Sequence, residues 1–290
     1  DTLSLSRKKL HYAFDHGITH FDLANNYGPS YGSAEETFGQ IMKSSFAPYR
    51  DELFISTKAG HDMWPGPYGN WGSRKHLMAS LDQSLKRMNL DYVDVFYSHR
   101  YDPETPLEET LQALVDIVRK GKALYVGLSK YPLDAYLFAS RYLKERDVPC
   151  LLYQGRYSML VREPESQGIL NAVKENGSGF VAFSPLAQGL LTNRYLNGIP
   201  DNSRIARGGF LKKEALTPEV LSKIQALNER AAMRGQSLAE MALAWLLKNE
   251  TVTSVIVGAS SVEQLGDSLK TLNHLSFEEE ELHAIEKILM

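Results

Sequence analysis

Short apolar runs alternate along this chain with longer amphipathic stretches. The runs Ile18–Ala24, Glu52–Ala59, Val93–His99, Ala123–Ser129, Cys150–Gln154, Gly179–Ser184 and Ser254–Gly258 read as strands. They are nearly continuous in apolar character, the pattern of strands covered on both faces. Helical periodicity follows each of them, most clearly over Ser33–Lys43, Ser73–Met88, Leu107–Arg119, Leu133–Lys144, Glu165–Glu175 and Val262–Leu272. Two more helices, Pro218–Met233 and Leu238–Lys248, fall between the last two strands. In Ser73–Met88 the residues Leu77, Leu81, Leu85 and Met88 recur three or four apart, which makes one apolar stripe.

Repeated strand–helix units imply a parallel sheet. Seven such units are visible, and a helix over Leu5–His16 precedes the first strand. The economical expectation is that one further strand lies upstream of Asp1. Eight units would make a (β/α)8 TIM barrel, an α/β fold that a chain of 290 residues fits. No low-complexity segment or break in composition divides the chain, so residues 1–290 are expected to form a single domain. The stretch Gly198–Gly209, rich in Gly and Arg, is expected to be a mobile loop rather than a linker.

Composition narrows the partners. Hydrophobic residues make up 43% and charged residues 23%, as in ordinary globular proteins, and the net charge is −3. No basic run interleaved with aromatics is present, which argues against nucleic acid. Apolar stretches such as Leu151–Tyr153 and Met241–Leu247 are far too short to cross a bilayer. The single cysteine, Cys150, allows no internal disulfide and suits a reducing cytoplasm, the expected location; no signal peptide is visible.

In a barrel of parallel strands the chemistry sits at the carboxyl ends of the strands. The polar residues there are Asp22, with Tyr27 in the following loop, then Lys58, His99, Ser129, Gln154 and Ser184, and last the run Gly258-Ala259-Ser260-Ser261. A lone buried Lys or His is more often a satisfied structural group than a functional one. Four titratable groups at one rim are harder to explain, because each carries a desolvation cost of roughly several kcal/mol unless paired. Reducing a carbonyl needs a hydride donor and an acid for the developing alkoxide. Free tyrosine, with a pKa of about 10, is a poor acid at neutral pH. A neighbouring Lys58 ammonium would stabilise tyrosinate and make Tyr27 a working proton donor, while Asp22 would hold Lys58 in place. His99, as neutral imidazole, would donate a hydrogen bond to the carbonyl oxygen. A Schiff-base aldolase using Lys58 is a rival reading, which the neighbouring Asp22 disfavours. A metal hydrolase is a weaker one: His20 and Asp22 alternate onto one face, but no further His pair completes a ligand set.

The string Gly17-Ile18-Thr19-His20-Phe21-Asp22-Leu23-Ala24, with Tyr27-Gly28 and Ser33-Ala34-Glu35, resembles the signature of the aldo-keto reductases around their catalytic Asp and Tyr. Ser56-Thr57-Lys58 and Tyr97-Ser98-His99-Arg100 resemble the segments that carry the Lys and His of that family, and the likeness continues through Val126-Gly127-Leu128-Ser129, Phe183-Ser184-Pro185-Leu186 and Gly258-Ala259-Ser260. It covers essentially the whole chain. Trp64-Pro65-Gly66-Pro67-Tyr68-Gly69 and Ala187-Gln188-Gly189-Leu190-Leu191-Thr192 look like the bacterial L-glyceraldehyde 3-phosphate reductase branch, itself related to potassium-channel β subunits.

The resemblance implies NADPH, with NADH as the alternative, lying extended across the barrel rim. Ser129 and Gln154 would bind its carboxamide, Phe183 would stack on the nicotinamide, and Ser184, Leu186, Gln188 and Gly189 would border the pyrophosphate. Gly258, Ser260, Ser261, Gln264, Asp267 and Ser268 would meet the adenosine end. Ser260 and Glu263 have capping-box spacing, so a helix start should face phosphate there. No Gly-x-Gly-x-x-Gly follows a strand, which disfavours a Rossmann site. Ser261 stands where many family members carry an Arg that clamps the 2′-phosphate, Asp267-Ser268 where they carry Glu-Asn, and Lys130 where an Asn is common. The implied substrates are small aldehydes such as glyceraldehyde 3-phosphate or methylglyoxal, and the implied assembly is a homo-oligomer. A cofactor-sensing subunit without turnover is the non-enzymatic alternative. The aromatics of Trp64–Trp71 either wall the substrate pocket or anchor the loop, and Arg100 or Lys130 is a candidate for binding an anionic substrate.

Overall fold

A computed structural model describes residues 2–196, 198–200 and 211–290, so most of the Gly198–Gly209 stretch lies outside the described residues. Strands and helices alternate as β1 (His20–Asp22), β2 (Phe54–Ala59), β3 (Val93–Ser98), β4 (Ala123–Ser129), β5 (Cys150–Arg156), β6 (Gly179–Phe183) and β7 (Val252–Val255). The helices in chain order are α1 (Leu3–Asp15), α2 (Ser33–Ile41), α3 (Arg74–Met88), α4 (Leu107–Arg119), α5 (Leu133–Lys144), α6 (Glu163–Ser166), α7 (Ile169–Glu175), α8 (Pro218–Met233), α9 (Leu238–Leu247), α10 (Val262–Leu269) and α11 (Glu279–Leu289). The chain divides into two compact units, Asp1–Gln154 with Gly168–Gly179, and Gly155–Gln167 with Phe180–Met290.

In the first unit β1 to β5 pair in chain order, every pair parallel. The register sets Asp22 opposite Ser56, Lys58 opposite Tyr97, and Ser129 opposite Gln154. Parallel pairing in one register therefore brings the polar strand ends to the same rim. The interior is made by residues such as Ile55, Val95, Phe96 and Val126, and the helices cover the outside through stripes like Leu77, Leu81, Leu85 and Met88. Each such side chain contributes about 1.5–3 kcal/mol by leaving water. The α3 helix is defined at both ends: the Ser73 hydroxyl accepts from the His76 N–H, and Asn89 closes it at φ 55°. Gly39 of α2 lies so close to α3 that a Cβ there would sit 2.0 Å from the Arg87 carbonyl oxygen, so only glycine permits this approach.

In the second unit β6 pairs in parallel with β7, and α8, α9 and α11 pack through Ile224, Leu227, Leu243 and Ile285. Arg162 ties α6 to α11, donating to Glu286 at 2.6 Å and also pairing with Glu165.

The structure corrects several boundaries. The helix expected over Glu165–Glu175 is two, α6 and α7, because Gly168 turns left-handed at φ 77° and caps the second. Beyond Ile41 the Ser33–Lys43 helix loosens into a π turn, Met42–Phe46, and the end of Val262–Leu272 tightens into a 3₁₀ turn, Lys270–Asn273. The last strand is Val252–Val255 rather than Ser254–Gly258, since its ladder starts where the Phe180 N–H meets the Thr251 carbonyl. Helix α11 was not expected from the sequence: its capping box is built on Glu278 and Glu281, and Glu278 lies outside the usual N-cap residues Ser, Thr, Asp and Asn.

Candidate active site

Asp22 ends β1 and faces Lys58 near the end of β2. The Lys58 ammonium donates to Asp22 Oδ2 at 2.5 Å and to the Leu23 carbonyl at 2.7 Å, and its side chain is wholly buried. Such a pair holds together only when the remaining lone pairs and protons are also met. For the carboxylate they are: Asp22 Oδ1 accepts from Ser56 Oγ at 2.6 Å and from Gln154 Nε2 at 3.2 Å, while two of the three Lys58 N–H groups are spent on Asp22 and Leu23. Ser56 in turn sits 3.0 Å from His20 Nε2, whose pKa is lowered by burial, against which Asp22 and Asp94 pull upward and with which Lys58 acts. With its own proton committed to Asp22, Ser56 accepts from a neutral His20. A lysine that forms a Schiff base must turn its nitrogen lone pair to a substrate carbonyl, whereas here the nitrogen is held against the Asp22 carboxylate and the Leu23 carbonyl. That argues against the aldolase reading.

Tyr27 lies on the loop between β1 and α2. Its N–H donates to the Ala24 carbonyl and its carbonyl accepts from Ala34, so the loop is pinned on both sides. Gly28 is required at φ 115°, because a Cβ there would fall 2.0 Å from Ser33 Oγ. The ring is 38% exposed, which leaves the hydroxyl reachable by a ligand, and the Lys58 Nζ lies 5.2 Å from its centroid. His99, just after β3, meets the Tyr27 ring edge-on at 5.9 Å. Burial, and then the cations Lys58, Lys130 and Arg100 together with His61, hold the His99 pKa far below the usual histidine range, so the imidazole is neutral.

Two more expected residues complete this rim. Ser129 ends β4 with its hydroxyl buried and without a partner among the described residues, and Gln154 of β5 lies opposite it in the register. Among the described residues no group of three or more His, Cys, Asp or Glu side chains could hold a metal ion.

Two further side chains, His61 and Glu35, join these groups. His61, in the loop after β2, packs edge-on against His99 at 4.5 Å and lies 3.2 Å from Lys130 Nζ. Glu35, fully buried on α2, accepts from Thr57 Oγ1 at 2.5 Å and Arg87 Nε at 2.8 Å, joining the Tyr27 loop to the strand that carries Lys58. Glu35 stands in the Ser33-Ala34-Glu35 string quoted from the sequence, but its partners are 22 and 52 residues away. The loop aromatics are mainly anchors: Trp64 packs on His76 at 5.0 Å, and Lys75 lies over Tyr68 at 4.4 Å.

In the second unit, Phe183 ends β6 and Ser184, Leu186, Gln188 and Gly189 follow it in a tight turn. Ser184, Ala187 and Gln188 all have positive φ, at 54°, 46° and 59°. Three non-glycine residues in that region store strain of about 1–3 kcal/mol each, a cost typically found where a backbone serves a ligand. Gly258 and Ser260 lie between β7 and α10. The expected Ser260–Glu263 capping box is replaced by a neighbour one residue on. Ser261 is the N-cap and accepts from the Gln264 N–H, while Gln264 Oε1 reaches back to the N–H and hydroxyl of Ser260. Gln264 thus serves Ser260, the residue before the N-cap, and not the N–H of Ser261 itself. On the same helix Asp267 pairs with Lys270 at 2.7 Å and Ser268 donates to the Gln264 carbonyl.

Paired carboxylate and ammonium, an exposed phenol beside them and a neutral imidazole are groups that fit acid-assisted carbonyl reduction, the chemistry of NAD(P)H-dependent oxidoreductases. Comparison with known proteins agrees: the sequence model of the Aldo/keto reductase family matches residues 3–290, and the chain belongs to that family, whose α/β fold is the (β/α)8 barrel. It is 56% identical over 292 aligned residues to an L-glyceraldehyde 3-phosphate reductase of Escherichia coli O157:H7, covering 99% of this chain and 84% of that protein. It is 37% identical, over 89% of this chain and 79% of the relative, to a probable voltage-gated potassium channel subunit beta of Arabidopsis thaliana. Among the described residues no helix is long and apolar enough to cross a membrane.

Proposed function

We propose that this chain reduces small aldehydes to alcohols with NADPH, Tyr27 giving the proton. The observation that supports it most is the Asp22–Lys58 pair at 2.5 Å with the Tyr27 ring beside it. Lys58 stabilises negative charge as the Tyr27 proton leaves for the substrate oxygen, and Asp22 fixes the ammonium through that step. His99 directs its ring N–H at the carbonyl oxygen and so orients the substrate towards Tyr27. The nicotinamide supplies the hydride when bound. The buried, unpartnered Ser129 hydroxyl fits a role in holding its carboxamide, with Gln154 beside it. In the second unit Phe183 is assigned to the nicotinamide ring, the strained turn of Ser184, Leu186, Gln188 and Gly189 to pyrophosphate, and the α10 start with Gly258, Ser260, Ser261, Gln264, Asp267 and Ser268 to the adenosine end. Ser261 caps a helix where an Arg would clamp the 2′-phosphate, so the preference for NADPH over NADH is modest.

The test is oxidation of NADPH and NADH, side by side, with glyceraldehyde 3-phosphate and methylglyoxal, on the protein and on Tyr27→Phe. The variant should lose roughly a hundredfold or more of kcat while still binding nucleotide. Nearly full turnover by Tyr27→Phe removes the assignment of the acid. Absence of turnover in the unmodified protein, despite tight nucleotide binding, favours a cofactor-sensing subunit like the channel-associated relatives.

A further inference from the structure

We propose that Lys130, aimed by His61, is the subsite that takes the phosphate of a short phosphorylated aldehyde and so sets substrate choice. This rests on the reductase reading above. Lys130 directly follows Ser129 at the end of β4, and its Nζ lies 3.2 Å from His61 Nε2. The His61 ring meets His99 edge-on at 4.5 Å, and His99 meets Tyr27. The ammonium is therefore one imidazole away from the histidine that orients the carbonyl, the separation a three-carbon aldehyde with a terminal phosphate would span.

The roles of the two side chains follow from their electrostatics. Burial, followed by the charges of Lys130 and Arg100 against the weaker pull of Asp62, brings the His61 pKa down to about 4. A neutral His61 accepts one N–H of Lys130 and leaves the other two unspent. Among the described residues no carboxylate lies within ion-pair distance of Lys130. Lys130 is exposed at the rim, and partial desolvation, then Arg100 and Lys58, lower its pKa to about 8. A cation crowded by cations, with no anion of its own, gains most from an arriving dianion.

Of the two cations named from the sequence, the structure separates them. Arg100 is committed: it donates to the Gly60 carbonyl at 2.8 Å and to Asn70 Oδ1 at 2.7 Å, and its guanidinium stacks over Trp71 at 3.6 Å. These contacts use two of its five N–H groups and one face of its guanidinium, and so fix Arg100 against its own loop, while the Lys130 ammonium stands on a flexible stem. Lys130 also holds a left-handed backbone at φ 56°, a conformation that the Asn common in the family would occupy more easily.

The experiment compares kcat/KM for glyceraldehyde 3-phosphate with that for glyceraldehyde, which differ only in the phosphate. In Lys130→Gln the ratio should fall roughly tenfold or more, mainly through KM, and Lys130→Arg should recover most of it. An unchanged ratio in Lys130→Gln overturns the subsite. A second measurement needs no turnover: glycerol 3-phosphate is titrated against tryptophan fluorescence of the NADP-loaded protein. Binding weakened roughly tenfold in Lys130→Gln supports the subsite even if neither aldehyde is reduced, in which case only the reductase reading fails. Equal binding by both proteins overturns the subsite while leaving the reductase reading untouched.

Discussion

Lys130 shows how a single residue can be wrong for the backbone and right for the site. Its φ of 56° costs an L-residue with a long side chain about 1 kcal/mol or more, whereas Asn tolerates that region. Lys130→Asn should therefore keep or raise stability, by up to about 1 kcal/mol, in urea unfolding followed by fluorescence. A variant clearly less stable than the parent would mean that Lys130 is held for packing, not for a ligand. The other residues of the rim were legible one by one. Asp22, Tyr27, Lys58, His99, Ser129 and Gln154 all come from strand ends or their loops, where alternating apolar runs expose a polar residue. His61 was not, because nothing in a lone histidine two residues past Ala59 indicates that it will lie against His99.

At the scale of elements, one buried ion pair joins three of them. Glu35 begins α2, Thr57 stands in the middle of β2 and Arg87 ends α3; the Glu35 side chain is fully buried and that of Arg87 is 16% exposed. Removing the acid leaves a guanidinium largely desolvated and uncompensated. Glu35→Ala should lose about 3 kcal/mol or more of stability, read from the urea midpoint at constant slope. Because α2 follows the Tyr27 loop and Thr57 precedes Lys58, the same variant should lower kcat more than it raises KM. A loss below about 1 kcal/mol would show that solvent already screens the pair. The helix ends tell a similar story. Ser73 and Asn89 close α3 as their residue types suggest, but at α10 two overlapping capping patterns competed, and only the folded geometry selected Ser261 over Ser260.

For the molecule as a whole, four histidines, His20, His61, His76 and His99, have pKa values pushed down, in each case chiefly by burial. The unfolded chain binds protons at these positions near pH 6.5, whereas the folded chain binds them only at lower pH. Stability is thus fully present above about 6.5 and is lost as pH falls from there through the folded values, which for His61 is about 4. Between pH 6.5 and 5.5 the unfolding free energy should drop by at least about 1 kcal/mol, and urea midpoints at the two pH values measure it. A flat profile over that interval would mean that the histidines charge within the folded state.

The alternation of strands and helices, their order and the residue types at the strand ends were determined by the sequence, because burial on a strand or a helix face repeats over a few residues and can be read locally. The tertiary structure decided what depends on residues far apart in the chain: Glu35 with Thr57 and Arg87, His61 between Lys130 and His99, and Gln154 on Asp22, which lies 132 positions away. Within the first unit, the parallel register of β1 to β5 puts chemically matched side chains within hydrogen-bond reach, and a register is a property of paired strands, not of any one of them.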